Sequence, residues 1–134
     1  MSKVITALNL QVMVGSNGVP LTNRDGRQLF TVQPPAFAYQ SDVAALLIVT
    51  PVGFITDLES CPRVPLVFDT VGDVIVWPAV VHDYLYSAKS NKMVNRATAD
   101  AVLLEAMALS GVPYWKRYAI YWGVRVGGGS HFGT

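Results

Sequence analysis

Trp77-Pro78-Ala79-Val80-Val81-His82-Asp83-Tyr84-Leu85-Tyr86, followed after a short polar break by Asn95-Arg96-Ala97-Thr98-Ala99-Asp100, divides this chain into two kinds of pattern. Upstream, apolar residues come in short runs closed by glycine, asparagine and proline, as strands and turns do. Downstream they recur at helical spacing. Pro78 suits the first turn of a helix, where a missing N–H costs nothing. The first stretch therefore predicts a helix from about Trp77 to Ala88. Asn95 is a good N-cap and Gly111 a good terminator for a second helix ending near Leu109, with Ala99, Val102, Leu103, Ala106 and Met107 as its apolar stripe. Pro113 opens a third, aromatic-rich helix from Tyr114 to Val126. Gly127-Gly128-Gly129 breaks it, and the tail beyond is expected to be mobile or ordered only by a partner.

Working back toward the N-terminus, Val4 to Val14 ends at the turn cluster Gly15-Ser16-Asn17-Gly18, and Asn23-Arg24-Asp25-Gly26 is a second turn signal. Leu29 to Val32 is a short run stopped by Gln33-Pro34-Pro35. Ala36 to Gln40 then leads through Ser41-Asp42 into Ala45 to Thr50, a hairpin with its turn near Ser41-Asp42. The expected fold is α+β: N-terminal antiparallel β hairpins packed on a C-terminal helical portion of about three helices. One domain is expected, mainly β over 1–72, mainly helical over 73–126, with a glycine-rich tail at 127–134.

Charged residues make up only 14% of the 134 residues and hydrophobic ones 51%, against about 25% charged in an ordinary soluble domain. Such a chain either enters a membrane or buries surface against partners. The apolar run from Val43 reaches Ile55 only through Thr50, Pro51 and Gly53, short of the ~20 residues a spanning helix needs. Met1-Ser2-Lys3-Val4 carries no signal-peptide pattern. The expectation is a soluble chain without a transmembrane segment, assembling with itself or with other proteins. A net charge of +1 offers no basic field for nucleic acid. The single cysteine, Cys61, excludes an internal disulfide and a thiolate zinc cluster, and reads as a small buried hydrophobe.

Of two histidines, His131 lies in the glycine-rich tail and His82 lies beside Asp83 in an apolar run. Burying such a pair is costly unless it is paired, bound or used. His82 and Tyr86 share a helix face, while Asp83 points about 100° away. Antiparallel packing of the next helix would set Asp100 against His82, leaving the second imidazole nitrogen to act as a base. Asp57, in Gly53-Phe54-Ile55-Thr56-Asp57-Leu58-Glu59-Ser60, is a candidate metal ligand or a partner for Arg63 or Arg96. A blander reading competes: His82, Tyr86, Arg96 and Asp100 form a buried network that fixes the helix pair, and Asp57 with Ser60 caps a turn. Tyr114, Trp115, Tyr118, Tyr121 and Trp122 read as core or interface ahead of a ligand groove.

Three ordered segments, Gly53-x-x-Thr56-Asp57-Leu58-x-Ser60-x-Pro62-Arg63, His82-Asp83-x-Leu85-Tyr86 and Arg96-x-x-Ala99-Asp100, together resemble a phage and prophage family of unknown function encoded among late genes. The resemblance runs from about Phe37 to Gly127. It implies a phage origin, residence in the particle and in the host cytoplasm during assembly, and partners among phage structural proteins. More distantly, His82, Asp83, Tyr86 and Asp100 are similar in order to the secretory and parvoviral phospholipases. That similarity implies His82 as the base that activates water and Asp83 as a ligand of calcium or another divalent metal. The glycine-rich calcium loop of those enzymes has no counterpart before His82. Two functions are thus expected: a virion- or tail-associated accessory protein working through protein contacts, or a His-Asp hydrolase directed at lipid or peptidoglycan that contacts the host envelope.

Overall fold

The computed structural model describes residues 1–58 and 65–134, and side chains for all of these except 65–74. Ser60, Cys61 and Arg63, for which roles were expected, lie outside the described residues. Among the described residues, six short strands precede three helices: β1 (Lys3–Val4), β2 (Leu10–Val12), β3 (Phe30–Val32), β4 (Phe37–Ser41), β5 (Leu46–Thr50), β6 (Ile55–Thr56), then α1 (Pro65–Tyr86), α2 (Arg96–Leu109) and α3 (Tyr114–Gly127). The fold is α+β. The strands form two antiparallel sheets, ordered β1-β4-β5 and β2-β3-β6. No described helix is long and apolar enough to cross a membrane.

The β4–β5 hairpin pairs Phe37 with Thr50 through to Ser41 with Leu46, turning just after Ser41-Asp42. Strand alternation is clean along β5, where Ile48 and Thr50 are buried while Leu47 and Val49 face outward. The turn closes with Ala45 in the left-handed region at φ 56°, a conformation that costs an L-residue about 1–2 kcal/mol.

Pro78 was expected to open α1, yet the helix begins at Pro65 and Pro78 lies inside it. An interior proline forfeits a backbone hydrogen bond and crowds the preceding turn, at a cost of about 3 kcal/mol. Burial offsets that cost. Ile75, Ala79, Val80, Val81 and Leu85 are fully buried, and each large one contributes about 1.5–3 kcal/mol. Trp77 adds ring contacts to Phe37 and Tyr39, with centroids 5.9 and 5.1 Å apart, which seat α1 on the first sheet.

α2 begins and ends where its caps predict. The Asn95 side chain accepts from the Thr98 N–H at 2.7 Å, and Gly111 takes a φ of 89° beyond the last turn. The stripe Ala99, Val102, Leu103, Ala106 and Met107 is wholly buried. One carboxylate on the same helix binds it to the sheet. Glu105 Oε1 accepts from the Tyr39 hydroxyl at 2.7 Å and the Ser41 hydroxyl at 2.8 Å, and Oε2 accepts from the Val43 N–H at 2.9 Å. Burial and the adjacent Glu105 carboxylate raise the Tyr39 pKa, so the phenol stays protonated as the donor.

The tail corrects a further expectation, because it folds back on α1. After a 3-10 turn at Gly129–His131, Gly133 N–H donates to the Tyr86 carbonyl at 2.5 Å and Ala88 N–H to the Thr134 carbonyl at 3.3 Å. Phe132 meets the Tyr86 ring edge-on at 5.2 Å.

Two substitutions check this reading by chemical denaturation. Glu105→Ala leaves the buried Tyr39 hydroxyl without its acceptor and should cost about 3 kcal/mol, given about 1–3 kcal/mol for each stranded buried group. Ala45→Gly relieves the left-handed turn and should stabilise by about 0.5–1 kcal/mol, after the loss of chain entropy that glycine brings.

Candidate active site

α1 and α2 cross so that Tyr86, late in α1, meets Arg96 early in α2, and His82, one turn earlier, meets Asp100 one turn later. The two helices therefore run antiparallel, as a short connection through the 3-10 turn at Ala88–Ser90 favours. Asp100 is fully buried at this crossing. Its Oδ1 lies 2.8 Å from His82 Nε2 and accepts from the Tyr86 hydroxyl at 2.5 Å. Its Oδ2 accepts from Arg125 Nη1 of α3 at 2.8 Å.

Burial alone would raise the Asp100 pKa, but hydrogen bonds from His82, Tyr86 and Arg125 outweigh it and hold the carboxyl below its ordinary value. Asp100 is therefore ionised at neutral pH, and an ionised carboxylate only accepts. His82 must donate from Nε2. A neutral His82 ring then carries its lone pair on Nδ1, the arrangement a general base needs. The Tyr86 hydroxyl spends its one proton on Asp100 and accepts from Arg96 Nε at 3.1 Å. Burial, and then the carboxylate beside it, push the Tyr86 pKa up to about 12.

Arg96 also reaches the end of α3, donating from Nη2 to the carbonyls of Val124 and Arg125 at 2.7 and 2.6 Å. A guanidinium there adds a donor to carbonyls of the last helical turn and complements the partial negative charge of the helix C-terminus. Gly128 completes the join. A Cβ at that position would stand 2.6 Å from the Val124 carbonyl oxygen and 3.1 Å from the Tyr86 hydroxyl, so only glycine fits.

A cleft of about 750 Å³ opens beside this network, within the usual size of small-molecule sites. His82, Tyr86, Asp83 and Asp57 all line it. Opposite stand Trp115, Ala119, Ile120 and Val124 of α3, with Phe54 and Ile55 beside β6. Phe54 is fixed edge-on against Tyr84 at 5.4 Å.

The sequence-predicted residues thus fall into two groups. His82, Tyr86 and Asp100 touch one another, whereas Asp83 and Asp57 sit on the β6 side of the cleft. Asp83 Oδ2 accepts from the Thr56 hydroxyl at 2.5 Å, and that hydroxyl accepts from the Leu58 N–H at 3.0 Å. Asp57 accepts from Asn23 Nδ2 at 2.8 Å and lies 3.9 Å from Arg27 Nε. Its described cationic partner is thus Arg27, from the turn at residues 23–27, and Arg96 is engaged elsewhere. Leu58 adopts a left-handed φ of 55°, unusual for a bulky residue. Arg27 Nη2 holds its carbonyl at 2.9 Å. Among the described residues, no three His, Cys, Asp or Glu side chains converge as a metal site would require. The described residues alone therefore do not make up a divalent-metal site.

Sequence reading missed Arg125, Thr56 and Gly128. An arginine inside an aromatic helix was the available signal, because a cation drawn toward apolar surroundings requires a partner.

The Asp100 cluster predicts a pH signature. A carboxyl whose folded pKa is depressed contributes stability that is fully present above its unfolded pKa, about 3.9. That stability is lost as pH falls through the lower folded value. Asp100→Asn should destabilise the chain by about 3 kcal/mol at pH 7, as breaking a buried ion pair does. The gap to the native chain should narrow below about pH 4, read from urea denaturation across pH.

No curated protein and no solved structure matches this sequence. Residues 31–124 match a family model, and that span covers β3 to α3, including every donor to Asp100 except Arg125. It is well over half of the chain, and the protein belongs to the family described as "Protein of unknown function (DUF1353)".

Proposed function

We propose that this chain is a hydrolase of lipid acyl esters, encoded by a bacteriophage and acting at the host envelope, with His82 as general base. The observation that carries the reading is the Nε2 contact of His82 with an ionised, buried Asp100, on the wall of a cleft of small-molecule size. Asp100 fixes the tautomer and stabilises the imidazolium that forms when Nδ1 takes a proton. As that proton leaves water, the water oxygen attacks the ester carbonyl carbon. The imidazolium then returns the proton to the departing alkoxide as the ester C–O bond breaks, giving a carboxylic acid and an alcohol. Tyr86 and Arg96 are positioning residues in this scheme.

The predominantly apolar wall from Phe54, Ile55, Trp115, Ile120 and Val124 suits an acyl chain better than a glycan. This favours lipid over peptidoglycan as the substrate. The phage assignment rests on the resemblance of the three ordered motifs. The order His82, Asp83, Tyr86 and Asp100 also supports the likeness to the phospholipases. In that likeness Asp83 is the residue that corresponds to a ligand of a divalent ion such as calcium.

A second reading, assembly into the phage particle through protein contacts, is favoured by the outward face of β5. Leu47 and Val49 stand exposed there, with Val43 and Val52 in the flanking turns. A fixed copy number in purified particles, measured by quantitative mass spectrometry, is the result this reading expects. Absence from particles overturns it.

The hydrolase reading is tested by fatty-acid release from liposomes of phosphatidylglycerol and phosphatidylethanolamine, with calcium supplied. His82→Gln should lower the rate at least 100-fold, since a positioned base contributes about 10²–10⁴. Tyr86→Phe keeps the His82–Asp100 contact and should lose only about 10-fold. No release by the native chain, or an undiminished rate in His82→Gln, overturns the reading. Release of sugar fragments from peptidoglycan instead overturns the choice of lipid.

A further inference from the structure

α3 is packed on one side only. Along its outer side run Trp115, Ala119, Trp122 and Val126, one turn apart, all exposed; Trp122 is 59% and Val126 86% accessible. An ordinary surface helix turns its apolar stripe inward and its charges outward. Here much of the outward face is apolar and aromatic, with a tryptophan at each end of one stretch.

The charges carried by α3 itself have one sign. Beyond Glu105 the chain contains no acidic residue, while Lys116, Arg117 and Arg125 all lie on α3. Arg125 is turned inward to Asp100. Lys116 and Arg117 sit with the exposed rings: the Lys116 ammonium is 5.1 Å from the Trp115 ring centre, and the Arg117 guanidinium 5.1 Å from that of Tyr114. Tryptophans with adjoining cations are suited to the boundary between lipid headgroups and acyl chains. Trp115, Ala119 and Gly123 belong at once to this face and to the cleft wall.

We infer that the outer face of α3 docks on an anionic lipid surface, with the cleft mouth turned toward it. Charge complementarity selects this occupant. A two-fold pairing of the face with a second copy would bring the same cations together, whereas an anionic bilayer attracts each of them. The contact is peripheral, since no described helix is long and apolar enough to cross a membrane. The inference rests on the lipid reading of the cleft, and it adds how the protein reaches a substrate that stays in a bilayer.

The test is vesicle flotation, which needs no turnover. The full chain is mixed with vesicles of phosphatidylcholine alone or of phosphatidylcholine with 30% phosphatidylglycerol. At least tenfold tighter partition onto the anionic vesicles is expected. Trp115→Ala with Trp122→Ala should lower it at least tenfold, as should Lys116→Glu with Arg117→Glu. The tryptophans are exposed, so circular dichroism should show the fold intact in the first pair. If the charge-reversal pair perturbs the fold, raised salt replaces it and should weaken binding of the native chain. Failure to float, equal partition onto both vesicles, or concentration-dependent dimerisation lost on Trp122→Ala overturns the inference. His82→Gln should float like the native chain. Flotation without fatty-acid release would sink the hydrolase and spare the surface; release without flotation would do the reverse.

Discussion

One buried carboxylate holds the helical half of this protein together. Asp100 sits on α2 with no exposed surface, and its two oxygens take donors from both neighbouring helices: His82 and Tyr86 from α1, Arg125 from α3. Removing such a charge from water costs several kcal/mol and is tolerated only with excellent pairing. The requirement reaches beyond the first contacts. Tyr86 can donate to Asp100 while accepting from Arg96, and Arg96 in turn caps the end of the helix that presents Arg125. Each group's proton is thereby assigned, and the three helices are fixed relative to one another by polar geometry as well as by packing. Structural networks of this kind also stabilise folds that catalyse nothing. What sets this one apart is its place on the wall of a cleft.

The β half supplies the opposite wall together with α3. The second sheet ends in β6, which places Thr56 against Asp83 and Asp57 against the turn at residues 23–27. Leu58 is held in a left-handed conformation by donors and acceptors on both sides of it. Strained backbone of this kind persists only where surrounding contacts over-determine it. The first sheet is tied to α2 through Glu105 and to α1 through Trp77.

Much of this was legible in the residues, for identifiable reasons. Asn95 and Gly111 marked the ends of α2 because their chemistry is local, and the i, i+4 spacing put His82 and Tyr86 on one face before any helix was placed. The pairing with Asp100 followed from a short connection. Pro78 misled because its local preference for a first turn is worth less than the burial of Ile75, Val80, Val81 and Leu85. The tail misled because glycine content signals chain freedom, and nothing local reports that Phe132 finds Tyr86 or that Gly128 must clear its hydroxyl. Arg125 and Thr56 are far in sequence from the carboxylates they bind, and only the tertiary fold brings them there.

The central claim is that an ionised Asp100 fixes the protonation of His82, and nitrogen-15 NMR of the imidazole rings tests it most directly. With His131→Gln removing the other histidine, the neutral form of the ring should show a protonated Nε2 and an unprotonated Nδ1. A neutral ring protonated on Nδ1 would contradict the account, because Asp100 would then face a lone pair and could not be the ionised acceptor on which the site is built.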